Sequence, residues 1–523
     1  MKGTRWAQSG AAVLAASGLI VSVGAPAASA ASNPYSQPET ISIAFPGNGS
    51  TIKLVKNDPI LQTLEKKFNV TFNLVTETWS NYDQQTSLWA ASGQLPDIWF
   101  SDQLNNATYD QWVQQGLVAP IPSNLSQYPY LRTLMNESDV KAFAIKGQMY
   151  LIPRQLQKEN VLPSDFGVAV RKDWMQKLHL QQPKTWNDFI NILTKFVKDN
   201  PEHSKNVVGI STNNPGWLLN ELFTFQFPQQ MWWYKNSSGK WIPGYTDPKY
   251  LGMIQKLHQM YTTGLLDKDW GTTSNNPIEK FVNGQAGAID QQPKELMNLE
   301  NAWNAAHPKE PFSKYVEFLM MPPGPNGKRT QYVYYNWWSE SLINSQVDST
   351  KMQRILALYN YLISPQGRLL TNFGVKGTDY KIVNGKIVSL HNASWNIGTA
   401  YPSQGLFGSL AIWGNAPREG ISEFNTANPV PSGWAKDGWN MVQSYIKQYM
   451  KVTVPNKINW TVNAYASGLP PITAGATETN ALLQAVAASN PAASWNSWLQ
   501  TQYKAGLTKE IQEVNAKFKN ASN

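Results

Sequence analysis

The 523-residue chain contains no cysteine. That excludes disulfides, thiolate metal centres, cysteine nucleophiles and lipid attachment through a cysteine thiol. Charge is also scarce, at 15% of residues against about 25% in typical chains. Only five histidines occur (179, 203, 258, 307 and 391), and they are scattered. H-E-x-x-H, G-x-S-x-G and Walker-type phosphate loops are absent, so no motif announces a metalloprotease, an esterase or an NTPase. A paired-carboxylate glycosidase leaves no linear signature, but no local acid cluster shows at successive strand ends. Long basic runs are missing too. The adjacent basic pairs are Lys66-Lys67, Arg171-Lys172 and Lys328-Arg329, so the formal net charge of +9 reads as dispersed surface charge rather than a nucleic-acid footprint.

Beyond the N-terminus no segment has about 18 successive apolar residues, the length a membrane helix needs. The N-terminus itself reads as a secretory signal. Lys2 and Arg5 precede an apolar stretch from Ala11 to Val23, and Ala28-Ser29-Ala30 supplies a small-residue cleavage site. The expected product starts at residue 31, is released outside the cytoplasm, and is long enough for two large domains. It is rich in aromatics: 22 tryptophans, 22 tyrosines and 18 phenylalanines argue against disorder.

Patterning along the chain alternates strand and helix. Ile41–Phe45 is expected as a strand. Asp58-Pro59 supplies a helix cap and first turn, with Leu61, Leu64 and Phe68 on one face. Val70–Leu74 alternates as a strand, Ser80 opens a helix that ends near Gly93, Pro96–Phe100 is a buried strand, and Asn106 opens a helix stopping at Gly116. Further on, Thr185, Asp247-Pro248 and Asn276-Pro277 open helices, while Val207–Ser211 and Ala286–Ile289 are strands. Residues 231–245 read as an exposed hairpin, and Lys381–Val388 as a second one turning at Asn384-Gly385. Helices are expected at Lys351–Ile363 and near 435–450, 478–489 and 491–519. Successive strand–helix units imply α/β layers with mainly parallel sheets flanked by helices.

Several blocks, in order, carry a family likeness: YDQQTSLWAASGQLPDIWFSD (82–102), KGQMYLIPR (146–154), VRKDWMQKLHLQQPKTWNDF (170–189), YTTGLLDKDW (261–270) with FVNGQAGAI (281–289), YLISPQGRLLTNFGVKGTDYKIVNGK (361–386) and YKAGLTKEIQEVNAKF (503–518). The chain resembles the extracellular solute-binding proteins of ABC importers, in the carbohydrate (oligosaccharide) binding group of the family 1 type. The resemblance implies a two-lobed, type II periplasmic-binding-protein fold with ligand in the interlobe cleft. Lobe one would comprise 31–160 with about 340–400. Lobe two would comprise about 165–330 with about 401–523, and crossings would fall near 160–168 and 331–342. It implies an oligosaccharide captured by hinge closure and delivered to a membrane permease, by a monomer without catalysis or cofactor. Other polar solutes such as peptides, a secreted glycoside hydrolase or lyase, and an adhesive surface module are the competing readings. Some alginate-type relatives have a calcium loop where this chain reads KDNPEHSKNVVGI (198–210). The glycines and spaced carboxylates of that loop are missing, so no metal is expected there.

A pyranose offers an apolar face for aromatic rings and a rim of hydroxyls for polar side chains. Ligands of open α/β sheets sit at the carboxyl ends of strands. These two rules select Trp79, Asp102 and Gln103, Trp217, and Asp290 with Gln291, each just after a strand. Trp337 and Trp338 lie at the second crossing, one expected in the cleft and the other packed. Trp395 and Trp413 lie in aromatic loops, and Arg154 approaches the first crossing. Asp267-x-Asp269 and His258 are expected to be structural.

Overall fold

Local signals in the sequence set most of the elements. In the computed structural model, which describes residues 35–47, 52–102, 108–155, 167–293, 296–332, 337–392, 395–412 and 435–522, Asp58 accepts from the Ile60 amide and opens the helix Pro59–Phe68. Thr185 and Asp188 form a reciprocal capping box at the start of Trp186–Asp199, satisfying two amides that a helix end leaves orphaned. Asp247 and Asn276 cap their proline-started helices by accepting from the Lys249 and Glu279 amides.

The strands, in chain order, are β1 (Glu39–Pro46), β2 (Val70–Glu77), β3 (Ile98–Ser101), β4 (Leu151–Gln155), β5 (Val168–Arg171), β6 (Val208–Ser211), β7 (Trp233–Lys235), β8 (Trp241–Pro243), β9 (Ala286–Asp290), β10 (Val316–Leu319), β11 (Arg329–Tyr332), β12 (Trp337–Ile343), β13 (Tyr380–Val383), β14 (Lys386–Ser389) and β15 (Thr453–Asn456). Two sheets form from separate stretches of chain. The first has the order β2-β1-β3-β12-β4, and the second β10-β5-β9-β6. Each sheet has its own apolar core. Ile43, Trp99, Leu151 and Leu342 centre the first, and Val170, Phe196, Leu257 and Ile289 the second. Buried side chains of that size stabilise by about 1.5–3 kcal/mol each.

Both sheets are mixed. β1, β2 and β3 run parallel, whereas β12 is antiparallel to β3 and to β4. In the second sheet only β6 and β9 pair in parallel; β5 is antiparallel to β9 and β10. The antiparallel members are the strands beside the crossings. A strand that returns from the other body enters its sheet from the edge at which the earlier strands leave. Residues 156–166 and 333–336, which overlap the expected crossings near 160–168 and 331–342, lie outside the described residues.

The 231–245 hairpin forms with its turn at 237–240 exposed, but its aromatic strands are covered. Trp241 is fully buried, donates from Nε1 to Phe518 O, and packs with Val462 and Val514. Trp232 packs edge-on against Tyr332 and Trp460. The C-terminal helices that cover Trp241 are far away in sequence, so the polar turn signalled its own exposure and not the burial of the strands. Those helices also break where one long helix was expected: Pro491–Gln502 and Thr508–Lys517 are separated at Gly506, which has φ +146°. The Asn384-Gly385 turn has positive φ at both positions, as its tight hairpin requires.

Candidate functional site

The pairings of β3, β4 and β12 bring three chain ends to one edge. Glu340 pairs with Ser101 and with Pro153, and Trp337 pairs with Gln155. Residues just after β3, at the end of β4 and at the start of β12 are therefore neighbours, at the edge where the chain leaves for the second sheet. β2 is parallel to β1 and β3, so Glu77 and the turn after it reach the same end.

An aromatic floor forms there. Trp79 stacks on Trp338, with ring centroids 5.9 Å apart and planes 24° apart. Phe100 meets Trp79 edge-on at 5.3 Å and Trp338 at 6.1 Å. Tyr82 meets Phe100 at 5.2 Å and Trp79 at 6.1 Å. Trp79 remains 43% exposed. Trp337, its neighbour's twin in sequence, is fully buried against Phe143. A strand sends successive side chains to opposite faces, although a register shift between Trp337 and Glu340 and the positive φ of Ser339 interrupt that alternation.

Arg154 lies under the floor, fully buried. Its guanidinium sits 4.7 Å from the Phe45 ring centroid, 5.3 Å from Phe100 and 5.6 Å from Trp338. Nε donates to Ser409 O at 2.7 Å, and Nη1 donates to Ser339 Oγ at 2.8 Å. Burial pulls its pKa down, and the Tyr359, Asp102 and Glu340 side chains oppose that. The segment that Arg154 holds, residues 404–412, runs beside β4: Gln155 N donates to Ala411 O. Leu406, Phe407 and Leu410 enter the first core, past the expected boundary at 400.

Carboxylates lie near this floor. Asp102 follows β3; burial, then Asp83, push its carboxyl up to about 7, while Arg154 acts in the other direction. Glu77 is 2% exposed, and burial and then Asp83 raise it to about 8. Burial raises the Tyr82 hydroxyl, and Asp102, Asp83, Glu340 and Glu77 raise it further. An acid cluster at successive strand ends, which the linear sequence did not display, is thus assembled by the fold. Glu77, Tyr82, Asp83, Phe100 and Glu340 were not singled out from sequence. The strand-end rule could have found Glu77, two residues before Trp79.

At the second sheet, parallel β6 and β9 end together, beside the start of β5, where Val168 pairs with Asp290. Asp290 Oδ2 accepts from Thr212 Oγ1 at 2.8 Å. Asn214 caps the helix Pro215–Phe223, and Trp217, in its first turn, is 37% exposed. Gln291 is buried, with its amide donating to Gly167 O. So Trp217 and Asp290 share one edge, while Gln291 is tied into the chain entering from the crossing. Asp267 and Asp269 both pair with Lys280, at 2.7 and 3.2 Å, and the His258 ring contacts Val486 O; both are structural contacts. In the segment aligned with the calcium loop, Glu202 pairs with Arg171. Trp395 stacks on His391 at 4.3 Å, in a group with Tyr401 and Asp379. Gln103 and Trp413 lie outside the described residues.

Between the two bodies the second crossing is anchored by buried polar contacts. Gln331 Oε1 accepts from Thr224 Oγ1 and from the Tyr449 hydroxyl, and Asn220 donates to the Tyr332 hydroxyl. Two α/β bodies, joined by crossing strands and carrying aromatic and polar side chains at the crossing edges, define a two-lobed solute-binding protein. Residues 60–375 match the family model for bacterial extracellular solute-binding proteins, and the chain belongs to that family.

Among characterised relatives, it is 25% identical to lipoprotein LipO of Bacillus subtilis over 66% of this chain and 68% of LipO. It is 23% identical to the polygalacturonan/rhamnogalacturonan-binding protein YtcQ of the same organism, over 62% of this chain and 64% of YtcQ. Similar solved structures include the alginate-binding protein AlgQ2 without calcium ion (TM-score 0.68, 18% identity, 93% of this chain and 99% of AlgQ2). Another is FusA of Streptococcus pneumoniae in complex with kestose (TM-score 0.66, 17% identity, 92% and 100%). At these identities the solved structures speak for the fold alone. No helix among the described residues is long and apolar enough to cross a membrane.

Proposed function

We propose that the protein is the substrate-binding component of an ABC-type sugar importer. It captures an oligosaccharide between its lobes and delivers it to a membrane permease. The observation that carries this reading is the open Trp79–Trp338 stack at the crossing edge. It is a flat apolar platform of the kind a pyranose face covers, bordered by acceptors for the hydroxyl rim. Trp217 and Asp290 form the opposing wall, and Arg154 is a positioning residue that fixes the floor from below. Gln103, Trp413 and Trp395 are further candidates for the rim. The names of YtcQ and FusA, both carbohydrate binders, support the substrate class.

In this reading lobe one comprises residues 31–155 with 337–412, and lobe two 167–332 with 435–523. The lobes close by hinge motion at the crossings. Ligand must touch the second lobe only in the closed form, since a conformational shift requires differential contacts. The protein acts as a monomer outside the cytoplasm after loss of residues 1–30, and performs no catalysis. Titration of intrinsic tryptophan fluorescence with mono- and oligosaccharides tests the proposal. A saturable change with the sugar recovered intact supports it; degraded sugar would make the protein an enzyme, and silence across the panel would remove the sugar.

A further inference from the structure

We propose that the first body carries a second carbohydrate site, outside the cleft, in a pocket at the opposite end of its sheet. β1 and β2 run parallel, from Glu39 paired with Val70 to Pro46 paired with Glu77. Their far ends lead to Trp79 and the aromatic floor. Their near ends are preceded by Tyr35 and Phe68. Eight residues of strand put roughly 25 Å between the two ends. The pocket has a volume of about 440 Å³, and Tyr35, Phe68, Tyr128, Tyr130, Asn360 and Tyr361 line it. That volume falls in the range of small-molecule sites. Tyr35, Phe68, Tyr128 and Tyr361 all pack on the first core, so hinge motion leaves the pocket intact.

Buried contacts build this pocket. Arg354 is 1% exposed, donates to Asn69 O at 2.9 Å and to Gln37 O, and lies 5.5 Å from the Tyr35 ring centroid. Asn69 Nδ2 donates to Tyr35 O at 2.8 Å. Phe68 meets Tyr35 and Tyr361 edge-on, at 5.9 and 6.0 Å. The helix Pro129–Met135 has no cap from its own Tyr128 side chain. Asn360, from another helix, serves instead: its Oδ1 accepts from the Tyr130 and Leu131 amides at 2.9 and 3.2 Å. Its Nδ2 makes no hydrogen bond among the described residues. The side-chain amides of Gln127, Gln353 and Gln366, which also line the pocket, make none there either. Tyr130 is 40% exposed, and Lys67 Nζ stands 4.8 Å from the Tyr361 centroid.

The chemistry of this lining is that of a sugar site. Each saccharide hydroxyl both donates and accepts, and so do carboxamides and tyrosine hydroxyls. Tyrosine rings cover the apolar C–H face of a pyranose. A proline-rich peptide also docks on aromatic grooves, but it offers mainly carbonyl acceptors, which leaves the amide oxygens of the lining unanswered. The pocket lies open at the surface of one body. It can therefore take a ring in the middle of a long polymer, whereas a closing cleft must enclose its solute. Such a site would hold the protein on a polysaccharide while the cleft captures shorter pieces.

Native electrophoresis of residues 31–523, in gels with and without a neutral polysaccharide, tests the proposal. The probes are galactan, arabinoxylan, galactomannan and mixed-linkage glucan. At least one polymer should slow the wild type and Trp79→Ala alike, and Tyr130→Ala should restore free mobility. Asn360→Asp should restore it too. That change keeps the acceptor for the Tyr130 and Leu131 amides and removes only the Nδ2 donor. Thermal melting of both variants should match the wild type, and their fluorescence titrations with oligosaccharides should be unchanged. Retardation lost in Trp79→Ala but kept in Tyr130→Ala would place the polymer in the cleft and overturn the inference. Unaltered migration in every polymer would overturn it, as would retardation indifferent to both Tyr130→Ala and Asn360→Asp. Retardation that appears only when residues 31–34 are removed would mean that the chain's own N-terminus covers the pocket, and would overturn it also. So would Tyr130-dependent binding of a proline-rich decapeptide in place of any polymer. None of these outcomes touches the cleft, whose reading stands or falls with the fluorescence titration.

Discussion

Replacing Glu77 by Gln should stabilise the protein in a pH-dependent way. Glu77 closes β2 almost fully buried, and both carboxylate oxygens lack a hydrogen-bond partner among the described residues. Burial, and then Asp83, lift its pKa from 4.5 to about 8. A group whose pKa is higher in the folded than in the unfolded state binds more protons when folded, so stability falls as pH rises across the interval between the two values. The loss is absent below pH 4.5 and complete above about pH 8. At about 1.4 kcal/mol per pH unit it reaches about 3 kcal/mol at pH 7 and 4 to 5 kcal/mol above pH 8. Gln has the same shape and no titration. Whatever the amide gains or loses in hydrogen bonds is a constant offset, so the slope is diagnostic. Urea denaturation of wild type and Glu77→Gln at pH 5, 6, 7 and 8, followed by tryptophan fluorescence, measures it. The difference in stability should grow in the variant's favour with each step. A difference that stays level from pH 5 to pH 8 would refute the placement of this carboxyl in a dry, like-charged site.

Three other outcomes are expected. Trp79→Ala should weaken oligosaccharide binding by about 1–3 kcal/mol, as loss of an aromatic platform does, and, being half-exposed, it should change the denaturation midpoint little; titration and melting of the same variant separate the two. Arg154→Met should destabilise lobe one by about 2–4 kcal/mol, because Ser339 Oγ and Ser409 O lose their donor and Asp102 loses a nearby positive charge; hydrogen exchange should localise the loosening to residues 404–412. Thr185→Ala, which removes one half of the capping box at the helix Trp186–Asp199, should cost about 1 kcal/mol with ligand affinity unchanged, as thermal melting and calorimetry will show.

Much of the secondary structure was legible because its determinants are local. Asp58, Thr185, Asp247 and Asn276 cap the helices they were expected to cap, since a cap needs only its own next three residues. The Trp79, Asp102, Trp217 and Asp290 positions followed from strand ends for the same reason. Misjudged features depended on distant chain. The 231–245 hairpin keeps an exposed turn, but the cover over Trp241 comes from helices that begin at residue 460. Mixed sheets replaced mainly parallel ones because strand direction at the crossings depends on where the returning chain enters.

From the sequence by itself came the absence of thiol chemistry, the α/β layering, the aromatic wealth and the likeness to solute-binding proteins. Those properties are sums over composition or patterns within a few turns of chain. Only the tertiary structure decided the electrostatics. Glu77, Asp83, Asp102 and Glu340 are spread over more than 250 positions of sequence, and Arg154 was placed from sequence only near the first crossing, as a candidate ligand residue. Strand pairing brought Glu340 beside the end of β3, from which Asp102 follows, and set Arg154 against the aromatic rings. Charge acts through space, with a strength set by burial as well as by separation, and neither quantity exists until the chain has folded.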